Sequence, residues 1–177
     1  MAVMNHGRGQ HSKEATVIQE RENTMYKLYI FDKDGTICRS KSGKKFINSV
    51  EDQELIPGVS DKINQLKADG HKIAIASNQG GVAFGFMTYG QASDIVRNAS
   101  DLIKAEYTIF CPCHPSGNVP PYNRESENRK PNPGMILYCM AYFDIQDAVF
   151  IGDRPEDEEA ARRAGVQFEW ADDFFER

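Results

Sequence analysis

Cysteine and long apolar runs are scarce in this 177-residue sequence, and a net positive charge is absent. The four cysteines, Cys38, Cys111, Cys113 and Cys139, are too few for the dense cross-linking of small secreted folds. With no leader of signal-peptide type ahead of the first strand, the expected setting is a reducing cytoplasm. The longest apolar stretch, MILYCMAYF at Met135–Phe143, falls far short of the roughly 20 residues that a bilayer span needs. A formal charge of -5 supplies no broad basic field, so composition does not favour nucleic acid, although a local basic patch stays open. Residues 1–25 lack apolar periodicity and are expected to form a flexible N-terminal extension, leaving 26–177 as the folded domain.

What is present suits one domain of ordinary composition, 40% hydrophobic and 27% charged. Five short runs rich in branched and aromatic residues read as strands: Tyr26–Phe31, Lys72–Ser77, Tyr107–Cys111, Ala148–Gly152 and Val166–Trp170. Between them, apolar residues recur at helical spacing. Val59, Ile63 and Leu66 form one such set, Ala92 to Ile103 a second, and Ile136, Cys139, Met140 and Phe143 a third, with Asn132-Pro133 as cap and first-turn proline. A last helix near Pro155–Ala164 carries acids in its first turn and Arg162 and Arg163 near its end, as the helix dipole favours. Alternating strands and helices predict an α/β fold, a Rossmann-like three-layer sandwich with a central parallel sheet of about five strands. In such sheets ligands bind at the carboxyl ends of the strands. Two segments interrupt the alternation, the polar Arg39–Ile56 and the proline-bearing Pro112–Pro131.

Chemistry-bearing residues collect at those strand ends. IFDKDGTIC sets Asp32 and Asp34 just past the first strand, where two neighbouring acids repel unless a cation or proton is shared. ASNQGG places Ser77 and Asn78 after the second strand, and IGDRPED places Asp153 after the fourth, with Asp157 one helical turn on. NRKPNPG puts Arg129 and Lys130 just ahead of a helix start, where cations and free backbone amides meet anions. Acids with a hard divalent cation, a hydroxyl, an amide and a lysine suit phosphoryl transfer. One carboxylate can attack phosphorus while another protonates the leaving oxygen.

In DKDGT, SNQ, RKP and GDRPED, taken in that order, the chain resembles the haloacid dehalogenase superfamily of phosphatases over about residues 26–177. The resemblance implies that Asp32 is the nucleophile, Asp34 the general acid and base, and Lys130 the balancing cation. It implies that Ser77, with Asn78 and Arg129 nearby, binds the phosphoryl group. Magnesium would be held by Asp32, the backbone carbonyl of Asp34 and Asp153, with Asp157 as a supporting acid. The short gaps between motifs leave no room for a large cap domain, which implies a capless member of subclass IIIA.

The segment CPCHPSGNVPPYNRESENRKPNPGM is similar to the zinc loop of heptose 1,7-bisphosphate phosphatases and histidinol phosphatases. Cys111 and Cys113, with His114 adjacent, match the first ligand pair, but Ser126 and Asn128 stand where the second pair belongs. A structural zinc needs four donors, so an intact zinc site is not expected. SGKKF at Ser42–Phe46 and the ending GVQFEWADDFF resemble the phosphatase domain of polynucleotide kinase 3'-phosphatases. Lys41, Lys44 and Lys45 either contact a phosphate backbone or form a solvated flap.

These readings lead to a magnesium-dependent phosphomonoester hydrolase using an aspartyl-phosphate intermediate. The expected substrate is a small phosphate ester such as a sugar bisphosphate, and the protein is expected to be a monomer with no membrane partner. Two alternatives stay open: a polynucleotide 3'-phosphatase, and a binding protein that has kept the fold and lost turnover.

Overall fold

The computed structural model describes residues 26–177; the flexible extension expected over residues 1–25 lies outside the described residues. Five parallel strands form the central sheet: β1 (Leu28–Phe31), β4 (Lys72–Asn78), β5 (Tyr107–Cys111), β6 (Ala148–Gly152) and β7 (Gln167–Trp170). Their spatial order is β5-β4-β1-β6-β7. The first strand in sequence is thus the middle one, with Phe31 paired to Ile75 on one side and Ile151 on the other. The chain winds outward from β1 in both directions, which opens a crevice at its carboxyl end.

Strand alternation divides the core into two faces. Phe31, Ile73, Ile75, Val149 and Ile151 point to one side, where they pack against helices α1 (Val59–Ala68), α2 (Tyr89–Ile103) and the short α5 (Ala171–Phe174). Leu28, Ile30, Ala74, Ala76 and Phe150 point to the other, against α3 (Gly134–Phe143) and α4 (Pro155–Ala164). Both faces are closed to water, and burying each large side chain of this kind contributes about 1.5–3 kcal/mol. This is the expected three-layer sandwich. Helix α2 starts earlier than its apolar pattern suggests. Thr88 and Gln91 cap one another reciprocally, the Thr88 hydroxyl accepting from the Gln91 amide at 3.1 Å and the Gln91 side chain accepting from the Thr88 amide at 2.8 Å.

Two readings of the sequence need correction. Asn132 does not cap α3; the helix begins at Gly134, and Asn132 uses its side chain to bond the Ser126 carbonyl and Arg163. The interruption after β1 is not simply a polar loop. It contains an antiparallel ribbon of two three-residue strands, β2 (Cys38–Ser40) and β3 (Gln53–Leu55), too small to be a cap domain. Among the described residues no helix is long and apolar enough to cross a membrane.

Candidate active site

The turn after β1 is folded tightly on its own backbone. The amides of Ile37 and Cys38 both donate to the Lys33 carbonyl, and the amide of Gly35 donates to the carbonyl of Cys38. Gly35 sits at φ +88°, and a Cβ there would lie 2.3 Å from an oxygen of Asp153. Only glycine allows the first motif and the end of β6 to approach so closely. From the C-terminus, Arg177 donates to the carbonyls of Gly35 and Thr36 at 2.9 and 3.1 Å, tying the same turn down.

Asp32 is 6% exposed and lines a cavity of about 310 Å³ together with Asp34, Asn78, Arg129, Lys130 and Asp157. The Lys130 ammonium is buried at its floor. It lies 2.5 Å from Asp32 Oδ1, 2.7 Å from Asp157 Oδ1 and 3.0 Å from the Ala76 carbonyl, and 5.1 Å from the centre of the Phe150 ring. Lys130 arrives there because Asn78 clasps its main chain, accepting from the Lys130 amide at 3.1 Å and donating to its carbonyl at 3.0 Å. Asn78, expected beside the phosphoryl group, therefore has its amide engaged in holding Lys130. The other oxygen of Asp157 accepts from the amides of Asp153 and Arg154, each at 3.2 Å, fixing the start of α4. Asp153 accepts a 3.3 Å hydrogen bond from Thr36.

Burial, reinforced by Asp157 and Asp34, pushes the Asp32 carboxyl up to about 7 even though Lys130 opposes the shift. Burial and Asp157 likewise raise Asp153. For Lys130 burial acts to lower the pKa, but Asp32 and Asp157 outweigh it and the ammonium is held above its ordinary value. The acids are thus only partly neutralised by protein cations. Oxygens of Asp32, Asp153 and Asp157 lie within 4.8 Å of one another, a hard all-oxygen donor set that fits a divalent cation such as magnesium.

Ser77 is fully buried, and its hydroxyl accepts from Gln79 at 3.0 Å. Arg129 lines the cavity while donating to the Cys113 carbonyl at 3.0 Å. The strand-end residues singled out from the sequence are therefore gathered at one edge of the sheet. Cys111, Cys113 and His114 are arranged differently. Both cysteines are buried in the core beneath α3, while His114 lies 4.8 Å from the Phe84 ring and accepts from the Ser116 amide. Among the described residues these three do not bring their donor atoms within 4.8 Å of one another.

Sequence reasoning gave no role to Lys33, Gln53 or Gln79. Lys33 is fully buried, 2.5 Å from Asp34 Oδ1 and 3.0 Å from Gln53 Oε1. Gln79 donates to Asp34 Oδ2 at 2.8 Å as well as to Ser77. The only sequence signal was position: Lys33 lies between the two acids, and Gln79 completes the SNQ motif.

A family model described as polynucleotide kinase 3 phosphatase matches residues 27–175. The heptose-1,7-bisphosphate 7-phosphatase of Escherichia coli K12 is 32% identical over 142 residues, covering 76% of this chain and 73% of that protein. The chain belongs to the haloacid dehalogenase phosphatases. A second relative of the heptose type, from Chlorobaculum tepidum, is 31% identical over 153 residues, covering 80% of this chain and 76% of its own. Among solved structures, the D,D-heptose 1,7-bisphosphate phosphatase of B. bronchiseptica, complexed with magnesium and phosphate, superposes with a TM-score of 0.64 at 25% identity. That match covers 80% of this chain and 78% of the other. A HAD-like phosphatase from Mesorhizobium loti shares the fold with a TM-score of 0.70 at 23% identity, over 80% of this chain and 69% of its own. The protein is a phosphatase.

Proposed function

We propose that this protein is a magnesium-dependent phosphomonoesterase that passes the phosphoryl group through Asp32 and acts on a small phosphorylated metabolite. The observation that carries the proposal is the shared cavity of Asp32, Asp34 and Lys130, bordered by the acid cluster of Asp32, Asp153 and Asp157. Asp32, the main-chain carbonyl of Asp34 and Asp153 would hold the metal. Bound there, magnesium would offset the charge of the acids and of the phosphate that approaches them.

In the first step an Asp32 oxygen bonds to phosphorus, the bond from phosphorus to the ester oxygen breaks, and Asp34 gives that oxygen its proton. In the second, Asp34 takes a proton from water, the water oxygen bonds to phosphorus, and the bond to Asp32 breaks to free phosphate. Lys130 balances the nucleophile's charge, Arg129 on the cavity wall would bind the phosphoryl group, and the Ser77 hydroxyl would join it there if released from Gln79. Asp157 and Asn78 hold Lys130 in place.

The heptose relatives make sugar bisphosphates the first substrate class to try. A second reading, removal of a 3'-phosphate from a polynucleotide, is favoured by the matched family model. The test is a phosphate-release screen over sugar phosphates, histidinol phosphate, nucleotides and a 3'-phosphorylated oligonucleotide, with magnesium supplied or chelated. Release that requires magnesium and vanishes in Asp32→Asn is expected; the polynucleotide reading predicts that only the oligonucleotide is turned over, with marked salt sensitivity. Release that survives Asp32→Asn would overturn the mechanism.

A further inference from the structure

Lys33 is a lysine with no exposed surface, and it does not line the catalytic cavity. An apolar side chain of similar length would fill the same space without the desolvation cost of a buried ammonium. The contacts of Lys33 lead in one direction. Its ammonium reaches Asp34 Oδ1, and its other partner, Gln53 Oε1 on β3, is itself fixed, because the Gln53 amide donates to the Ile95 carbonyl at 2.9 Å and to Asn98 at 2.8 Å, both on α2. Gln79 secures Asp34 Oδ2 from the Ser77 side. Each oxygen of the Asp34 carboxyl is therefore tied, and one tie runs through Lys33 and the ribbon to a helix of the core.

We propose that Lys33 is the positioning residue for Asp34, aiming its carboxyl at the ester oxygen through a chain anchored by Gln53 on α2. The inference rests on the aspartyl-phosphate reading above, and it adds a residue that touches neither substrate nor metal. A carboxyl left free to rotate loses proton transfer in both half-reactions, yet the attack of Asp32 on phosphorus is untouched. The defect should therefore depend on how much the leaving oxygen needs a proton.

The test compares glycerol phosphate, whose alkoxide leaves poorly, with 2,4-dinitrophenyl phosphate, whose phenolate leaves without protonation. In Lys33→Met, kcat/KM for glycerol phosphate should fall about 100-fold, the scale of a lost general acid, while that for the dinitrophenyl ester changes less than about threefold. Because water attack on the phosphoenzyme also needs Asp34, the variant should release a burst of about one dinitrophenolate per protein before a slow steady rate. Gln53→Met, which loosens Lys33 without touching Asp34, should show the same selectivity at about a tenfold loss, and it decides the matter should Lys33→Met not fold. Equal losses for the two esters, no loss for either, or the absence of a burst would overturn the proposal. Asp32→Asn run alongside separates the two levels. If it kills both esters while Lys33→Met acts on them equally, only the role of Lys33 fails; if it stays active, or if wild type releases no dinitrophenolate, the underlying mechanism fails.

Discussion

Replacing Lys130 by methionine removes the cation that touches both Asp32 and Asp157 while roughly preserving volume. Lys130 bridges two acids that are nearly out of reach of water, Asp32 at 6% and Asp157 at 1% exposed, so its removal leaves them side by side without the ammonium that joins them. An acid stranded in this way costs no more than taking up a proton, about 1.4 kcal/mol for each pH unit above the value near 3.9 of an unfolded aspartate. That ceiling is about 4 kcal/mol at pH 7 and about 1.5 kcal/mol at pH 5. The upper figure agrees with the roughly 3–5 kcal/mol lost when one partner of a buried pair is deleted. The lysine side gives the same sign. Its folded pKa is raised, so its contribution is complete below about 10.4 and is lost only as pH climbs through the higher folded value. Urea unfolding of metal-free wild type and Lys130→Met at the two pH values is the assay. A loss near 4 kcal/mol at pH 7 that shrinks by more than half at pH 5 is expected. An equal loss at both values, or less than about 1 kcal/mol at pH 7, would refute the assigned ion-pair network.

Asp32→Asn should leave the fold intact and lower phosphate release by about 10,000-fold or more, measured with any ester the wild type accepts. Metal-free wild type should lose stability as pH rises from about 4 to 7. With its folded pKa raised, the Asp32 carboxyl is bound to a proton more tightly in the native state, and that advantage disappears as pH passes through about 7. Magnesium should reverse that loss, raising Tm by about 5–10 °C at 100 times its Kd, as read by thermal melts with and without chelator. Gly35→Ala should weaken magnesium binding and activity together, because its Cβ would occupy the space of the Asp153 carboxylate, whereas Gly43→Ala, which shares a positive φ but whose Cβ would meet no non-neighbouring atom within 4 Å, should cost some stability and leave both unchanged, as isothermal titration and a phosphate-release assay would report.

The sheet was legible because buried parallel strands are short, nearly continuous apolar runs, and Leu28–Phe31, Ile73–Ala76 and Ala148–Ile151 are of that kind. The strand-end rule then located Asp32, Ser77 and Asp153 without any knowledge of contacts. Lys130 was harder, since nothing in RKP says that the cation turns inward; its direction depends on the clasp by Asn78, 52 residues away. Lys33, Gln53 and Gln79 escaped for a similar reason. A lysine between acids reads as a solvated residue, and its partner Gln53 sits 20 positions on, in a three-residue strand too short to show alternation. Asn132 misled because Asn-Pro before an apolar run is an ordinary helix start, and only the tertiary bonds to Ser126 and Arg163 reveal its other use.

Acid quenching of the protein during turnover with magnesium, followed by digestion and mass spectrometry, tests most directly whether the phosphoryl group passes through the protein. One phosphorylated peptide is expected, with the group on the side chain of Asp32 and absent from Asp32→Asn. Turnover with no phosphorylated protein at any quench time, or phosphate carried by a different residue, would contradict the account.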